Sequence, residues 1–254
     1  MLERCKYCDS PVNQNAKYCG GCGKPIKQGN NGIESKSVQL VIAFYITYLL
    51  YSIVSYFIYK DEVTSLKTEI TVEFIFIALT LIFSAFDAKR ILALFNNKYI
   101  SWQSLVFAIF FPIFSAVIVY VGVEGLNSFL FEENDNIFYE YAAYDNYLFW
   151  AVLFTVIFPP IFEELAFRGF LFNQLRNFAT PWVTIIATAF IFALIHFSFI
   201  SILWIFPFGL VLGYLRYRYQ TLWLGMIIHF IHNLLVLMLD YYYFQNDPLK
   251  DLFL

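Results

Sequence analysis

Charge is scarce in this chain. Asp, Glu, Lys and Arg make up 14% of its 254 residues, against roughly 25% in a soluble domain. Cysteine is absent after position 22, histidine occurs three times, and no basic stripe appears around a net charge of −3. That balance argues against a nucleic-acid partner. The alternating apolar pattern of barrel strands is missing, as is the HExxH signature of soluble metalloproteases. What fills the space is apolar: 60% of residues are hydrophobic and 22% aromatic. This is the composition of a polytopic membrane protein, with side chains facing lipid as well as core.

The four cysteines, Cys5, Cys8, Cys19 and Cys22, form C-x2-C-x10-C-x2-C. Two such knuckles let four thiolates close a tetrahedron around a structural Zn²⁺, with Gly20, Gly21 and Gly23 easing the turns. A segment this short buries no core, so the metal supplies its folding energy. The alternative is a pair of disulfides in an exported N-terminus. We expect a zinc ribbon over 1–28, a polar linker over 29–37 and a multipass membrane domain over 38–254. Modules of the ribbon type more often bind a protein partner than do chemistry.

Residues 1–37 are polar and charged, unlike a cleavable signal, so the first apolar run is expected to be a retained anchor. Apolar runs follow at about 38–59, 70–86, 102–121, 147–162, 181–200, 202–215 and 221–243. A span takes roughly 20 apolar residues. The shorter 202–215 run suits a tilted or re-entrant helix, and amphipathic 163–178 either continues the fourth helix or forms its own. The fold expected is all-α, with seven or eight transmembrane helices behind a zinc ribbon. With the N-terminus cytosolic, thirteen of sixteen Lys and Arg fall on the cytosolic side, while 122–146 holds six acids and no base. The positive-inside rule favours that orientation in a cell membrane. It also keeps the thiols in a reducing compartment.

Within "FPPIFEELAFRGFLF" the charged residues are Glu163, Glu164 and Arg168. Intramembrane charges are rare and mark sites or pathways. Pro159-Pro160 is expected to break or restart the helix. Glu164 and Arg168, four apart, share a face and can pair, which frees Glu163 for another partner. A solvated helix end at the cytosolic interface is the plainer alternative. The three histidines, His196, His229 and His232, lie in the last apolar runs. His229 shares a helical face with Asn233, and His232, off that face, reads as structural. Polar groups in hydrocarbon need partners, so these are expected to converge.

"EELAFR", "FALIH" and "HFIHN" occur in the order seen in the CPBP or Abi family, membrane proteases related to the type II CAAX prenyl endopeptidase and to bacteriocin-processing proteins. The resemblance spans roughly residues 100 to 243. It implies Glu163 as general base, His196 as holder and activator of water, and His229 with Asn233 as oxyanion hole. Glu164 and Arg168 would support the glutamate. Members of that family are described as metal-dependent or as glutamate-dependent, so a catalytic Zn²⁺ on Glu163, His196 and His229 is the competing scheme. The chain is expected to be an intramembrane endopeptidase acting on a lipidated or membrane-anchored protein or peptide, its cleft near the cytosolic leaflet. The rivals are a non-catalytic scaffold or bacteriocin self-immunity protein, and a proton-coupled transporter.

Overall fold

The computed structural model describes residues 3–4, 11–12, 21, 31–60, 64–125, 136–197 and 199–247. Near the N-terminus a short antiparallel pair joins β1 (Glu3–Arg4) to β2 (Pro11–Val12). Cys5, Cys8, Cys19 and Cys22 lie outside the described residues, and with them the expected zinc site.

The rest is helical, because apolar backbone in lipid must satisfy its own N–H and C=O groups. The helices are α1 (Asn31–Tyr59), α2 (Leu66–Ala85), α3 (Ala88–Leu92), α4 (Trp102–Ile118), α5 (Phe138–Tyr141), α6 (Tyr147–Leu175), α7 (Pro181–Leu194), α8 (Phe199–Tyr219) and α9 (Trp223–Asn246). A wide π-type stretch, Val119–Glu124, prolongs α4. Side chains set several starts. Ser65 accepts from the Thr68 amide ahead of α2, and Ser101 and Ser104 form a reciprocal capping box at α4. At α7, Thr180 accepts from the Val183 amide and Pro181 opens the helix, where its missing N–H is harmless.

Among the described residues, five helices are long and apolar enough to cross a bilayer: Glu34–Tyr59, Leu66–Ala85, Trp102–Gly122, Tyr147–Leu175 and Trp223–Asn246. The chain is a multipass membrane protein, although seven or eight spans are not reached by this measure. α7 has only 14 residues, about 21 Å at 1.5 Å per residue, short of the roughly 30 Å hydrocarbon core. It pairs with α8 as a hairpin. Gly209 and Gly213, four apart on α8, let the backbones close: a Cβ at Gly209 would stand 3.1 Å from the Ala189 Cβ, and one at Gly213 3.3 Å from Ile185 Cγ2.

The two prolines do not divide α6. Residues 147–162 and 163–175 form one helix, which settles the alternative left open for the amphipathic segment. The π-type stretch Val152–Ile157 shifts the hydrogen-bond ladder just before Pro159 and Pro160, so their missing donors fall at the start of the next regular turn. A second π-type stretch, Glu164–Leu171, follows.

Large apolar side chains such as Leu50, Phe57, Phe74, Leu81, Phe110 and Phe114 are exposed on α1, α2 and α4, as lipid-facing surfaces require. Inside, Phe44 and Tyr48 of α1, Phe83 of α2 and Phe167 and Phe170 of α6 build an aromatic core. Tyr48 reaches Thr80 Oγ1 at 2.7 Å, so its buried hydroxyl is satisfied. One end of the bundle is tied by a polar chain. Arg216 Nη2 donates to Asn173 Oδ1 (2.8 Å) and Asn173 Nδ2 to Asp87 Oδ2 (2.8 Å). Arg90 bridges Asp87 and Asn177, and Asn177 donates to Ser37 Oγ (2.7 Å). Four helices are locked there by charge-assisted hydrogen bonds.

Candidate active site

Arg168 is fully buried and donates through Nη1 to Glu164 Oε1 at 2.9 Å, with Glu164 only 1% exposed. Its guanidinium carbon lies 4.2 Å from the centre of the Phe192 ring, a cation–π contact. Arg216 Nε donates to the Arg168 carbonyl at 3.0 Å, pinning the π-type stretch that carries the pair. A buried pair of this kind is held by its surroundings, since each charge has lost its water. The partner of Glu164 is thus Arg168, and Glu163 turns elsewhere.

Glu163 faces His229, Oε2 to Nε2 at 3.8 Å, a gap wider than a hydrogen bond. On its other side His229 Nδ1 lies 3.7 Å from Glu164 Oε1. His229 therefore stands between the two adjacent glutamates. One turn on, Asn233 Nδ2 donates to the Thr155 carbonyl at 2.8 Å, inside the first π-type stretch of α6. His196 follows the end of α7 and is exposed. Its Nδ1 is 2.7 Å from the Phe192 carbonyl. A carbonyl only accepts, so Nδ1 carries the proton and Nε2 of the neutral ring keeps a lone pair. Phe197, with φ 51°, turns the chain away just after it. His232 Nδ1 meets Ser115 Oγ at 2.7 Å, and its ring packs on Phe208 and Trp204. It is a core histidine tied to α4.

Glu163, His196, His229 and Asn233 line one cavity of about 470 Å³. α6, the α7–α8 turn and α9 bring them together. His229 and Asn233 come from one face of α9, Glu163 from the turn after the prolines, and His196 from the end of a helix too short to cross. Most of the remaining wall is apolar, including Phe154, Phe192, Ile205, Phe208 and Leu237. The cavity reaches Ile137 and Asp240, toward the end that bears α5. The opposite end of the bundle is occupied by the Arg216–Asn173–Asp87–Arg90 chain.

The structure adds residues that were not anticipated. Glu73 of α2 lines the same cavity, and its Oε2 is buried without a hydrogen-bond partner among the described residues. The rule that marks intramembrane ionisable residues applies to Glu73 as it does to Glu163. Trp204 Nε1 is a further buried donor in this wall without a partner among the described residues. Gly225 had no motif to flag it; a Cβ there would overlap Glu164 Oε2. As placed, no three His, Cys, Asp or Glu side chains among the described residues converge closely enough to hold a metal ion. Glu163, His196 and His229 are not gathered into such a set.

Comparison with curated proteins and with solved structures gave no match. The family model described as type II CAAX prenyl endopeptidase Rce1-like matches residues 145–235, from the start of α6 to two residues past Asn233. That stretch holds the paired carboxylates, all three histidines and the asparagine. Over this stretch the chain is similar to the type II CAAX prenyl endopeptidases of the Rce1-like family.

Proposed function

We propose that the chain is an intramembrane endopeptidase that hydrolyses a peptide bond with a water activated by Glu163. The observation that carries this reading is the shared cavity: Glu163, His196, His229 and Asn233, from three parts of the chain, face one hollow inside an apolar bundle.

The chemistry follows from the atoms. A water held between the Glu163 carboxylate and His196 Nε2 gives one proton to Glu163 while its oxygen bonds the scissile carbonyl carbon. The carbonyl oxygen becomes negative and receives hydrogen bonds from His229 Nε2–H and the Asn233 amide. Collapse of the tetrahedral intermediate breaks the C–N bond as Glu163 passes its proton to the leaving amine. Glu164 and Arg168 hold the helix that presents Glu163, and the apolar walls keep competing water away.

With the N-terminus cytosolic, as the Lys and Arg distribution favours, the cavity runs toward the opposite leaflet. A peptide reaching it from the Ile137 and Asp240 end comes from the non-cytosolic side. That geometry suits a membrane-anchored or exported peptide better than a prenylated cytosolic tail. The zinc ribbon would stay on the cytosolic side as a docking module for a protein partner. The test is Glu163→Gln in purified protein against a membrane-peptide library, with Glu163→Asp alongside. Cleavage is expected to disappear with Gln; cleavage at the wild-type rate would remove the assigned base.

A further inference from the structure

One polar group in the site has no task in the chemistry above. Glu73 stands in the apolar middle of α2 and turns its carboxyl inward, with Oε2 buried and without a partner among the described residues. It lines the main cavity and also a second one of about 140 Å³, together with Tyr51, Ser52 and Phe76. Glu73, Pro159, Glu163 and His196 line both hollows and form the partition between them. The residues assigned to water activation are thus reached from two sides.

A hydrolase set in hydrocarbon has a supply problem. Each turnover consumes a water, and the substrate must fill the main cavity before the reaction starts. A buried water needs about 10–15 Å³ of accessible space and 2–4 polar partners. The smaller hollow has room for several, and offers the Ser52 hydroxyl, the Glu73 carboxyl, the partition groups and the Tyr51 oxygen as an acceptor, its proton being directed at the Val72 carbonyl at 3.4 Å. An unpartnered carboxylate oxygen in such a place is costly unless water meets it.

We propose that this side chamber stores and delivers the hydrolytic water, with Glu73 as the positioning residue that keeps it beside Glu163 and His196. Substrate enters one hollow and water the other. The proposal rests on the reading of Glu163 as base and adds no chemical step: the stored water loses its proton to Glu163 and its oxygen attacks the carbonyl.

The experiment uses full-length protein in lipid nanodiscs and a peptide that the wild type cleaves. Ser52 lines the side chamber and not the main cavity, so Ser52→Leu fills the chamber without touching substrate. Ser52→Leu and Glu73→Leu are expected to lower kcat by about tenfold to a hundredfold, the scale of misplaced reacting groups. KM should stay within about twofold, since uniform binding is untouched. Glu73→Gln, which still bonds water, should recover most of kcat. Hydroxyl-radical labelling of wild-type protein with peptide bound should mark Tyr51, because such labelling requires adjacent water. The proposal is overturned by normal kcat in both leucine variants, by a loss confined to KM, by Gln no better than Leu, or by unlabelled Tyr51. Should a leucine variant fail to fold, the smaller Ser52→Val and the Tyr51 labelling still decide. Glu163→Gln separates the two readings. If it is inactive while the leucine variants turn over normally, the chamber alone fails. If it cleaves normally, the base assignment fails.

Discussion

Replacing Arg168 by Met asks how much the buried ion pair holds in place. The guanidinium is fully buried, bonded to Glu164 Oε1 at 2.9 Å, near the Gly209 carbonyl at 3.5 Å and stacked over Phe192 at 4.2 Å. Methionine fills much of the volume but leaves the buried Glu164 carboxyl without its donor; His229 Nδ1 lies 3.7 Å away. Removing one member of a buried pair costs about 3–5 kcal/mol, whereas replacing both by neutral groups is often nearly neutral. At about 2–4 °C per kcal/mol for a domain of this size, Arg168→Met should melt about 6–20 °C below the wild type. Glu164→Gln combined with Arg168→Met should recover most of that loss. Thermal unfolding of the wild type, both single variants and the double variant in detergent gives the coupling energy directly. An Arg168→Met protein melting with the wild type, or a double variant no more stable than Arg168→Met, would refute the reasoning.

Three other perturbations probe separate links. Asn233→Ala removes one oxyanion donor and should lower kcat by about 10²–10³ with KM little changed; steady-state kinetics showing an effect on KM alone would remove Asn233 from that role. Gly225→Ala places a methyl against Glu164 Oε2, whose far end is tethered by Arg168. It should destabilise by about 1–3 kcal/mol, as overpacking does, and lower kcat through Glu163 next door. A melting temperature and rate equal to the wild type would show that Glu164 moves freely. Changing Cys5, Cys8, Cys19 and Cys22 together to Ser removes the proposed zinc module from the experiment. That variant should keep its peptidase activity in a strong chelator, measured beside its bound-metal content, and inhibition there would point to a metal at the cavity.

Several features of the fold were legible because they are local. Runs of apolar residues announce spans, and a spacing of four puts Glu164 beside Arg168 and His229 on the face of Asn233 whatever else the chain does. Ser101 and Thr180, which cap α4 and α7, went unread although their chemistry reaches only three residues ahead. Pro159-Pro160 were half legible: the local rule predicts a break or a restart, and a regular turn does restart at Phe158 with the prolines at its beginning, but the π-type stretch before it absorbs the lost donors and α6 continues. The span count fell short by two: 181–200 ends as a helix at Leu194, with His196 just beyond, and α8, which covers the 202–215 run, is not among the five.

By itself the sequence determined the kind of molecule and the chemical vocabulary of its site: a membrane bundle with two carboxylates, an arginine, three histidines and an asparagine ordered along its second half. Helix periodicity and the cost of charge in hydrocarbon act over a few residues, so no partner elsewhere is needed to read them. Tertiary packing alone decided that α2 contributes Glu73, that Arg216 and Asn173 close one end of the bundle, and that the main cavity runs toward Ile137 and Asp240 at the other. Those are contacts between helices far apart in the chain. Their depth and facing are set by how side chains interlock across the bundle, and no local pattern encodes that.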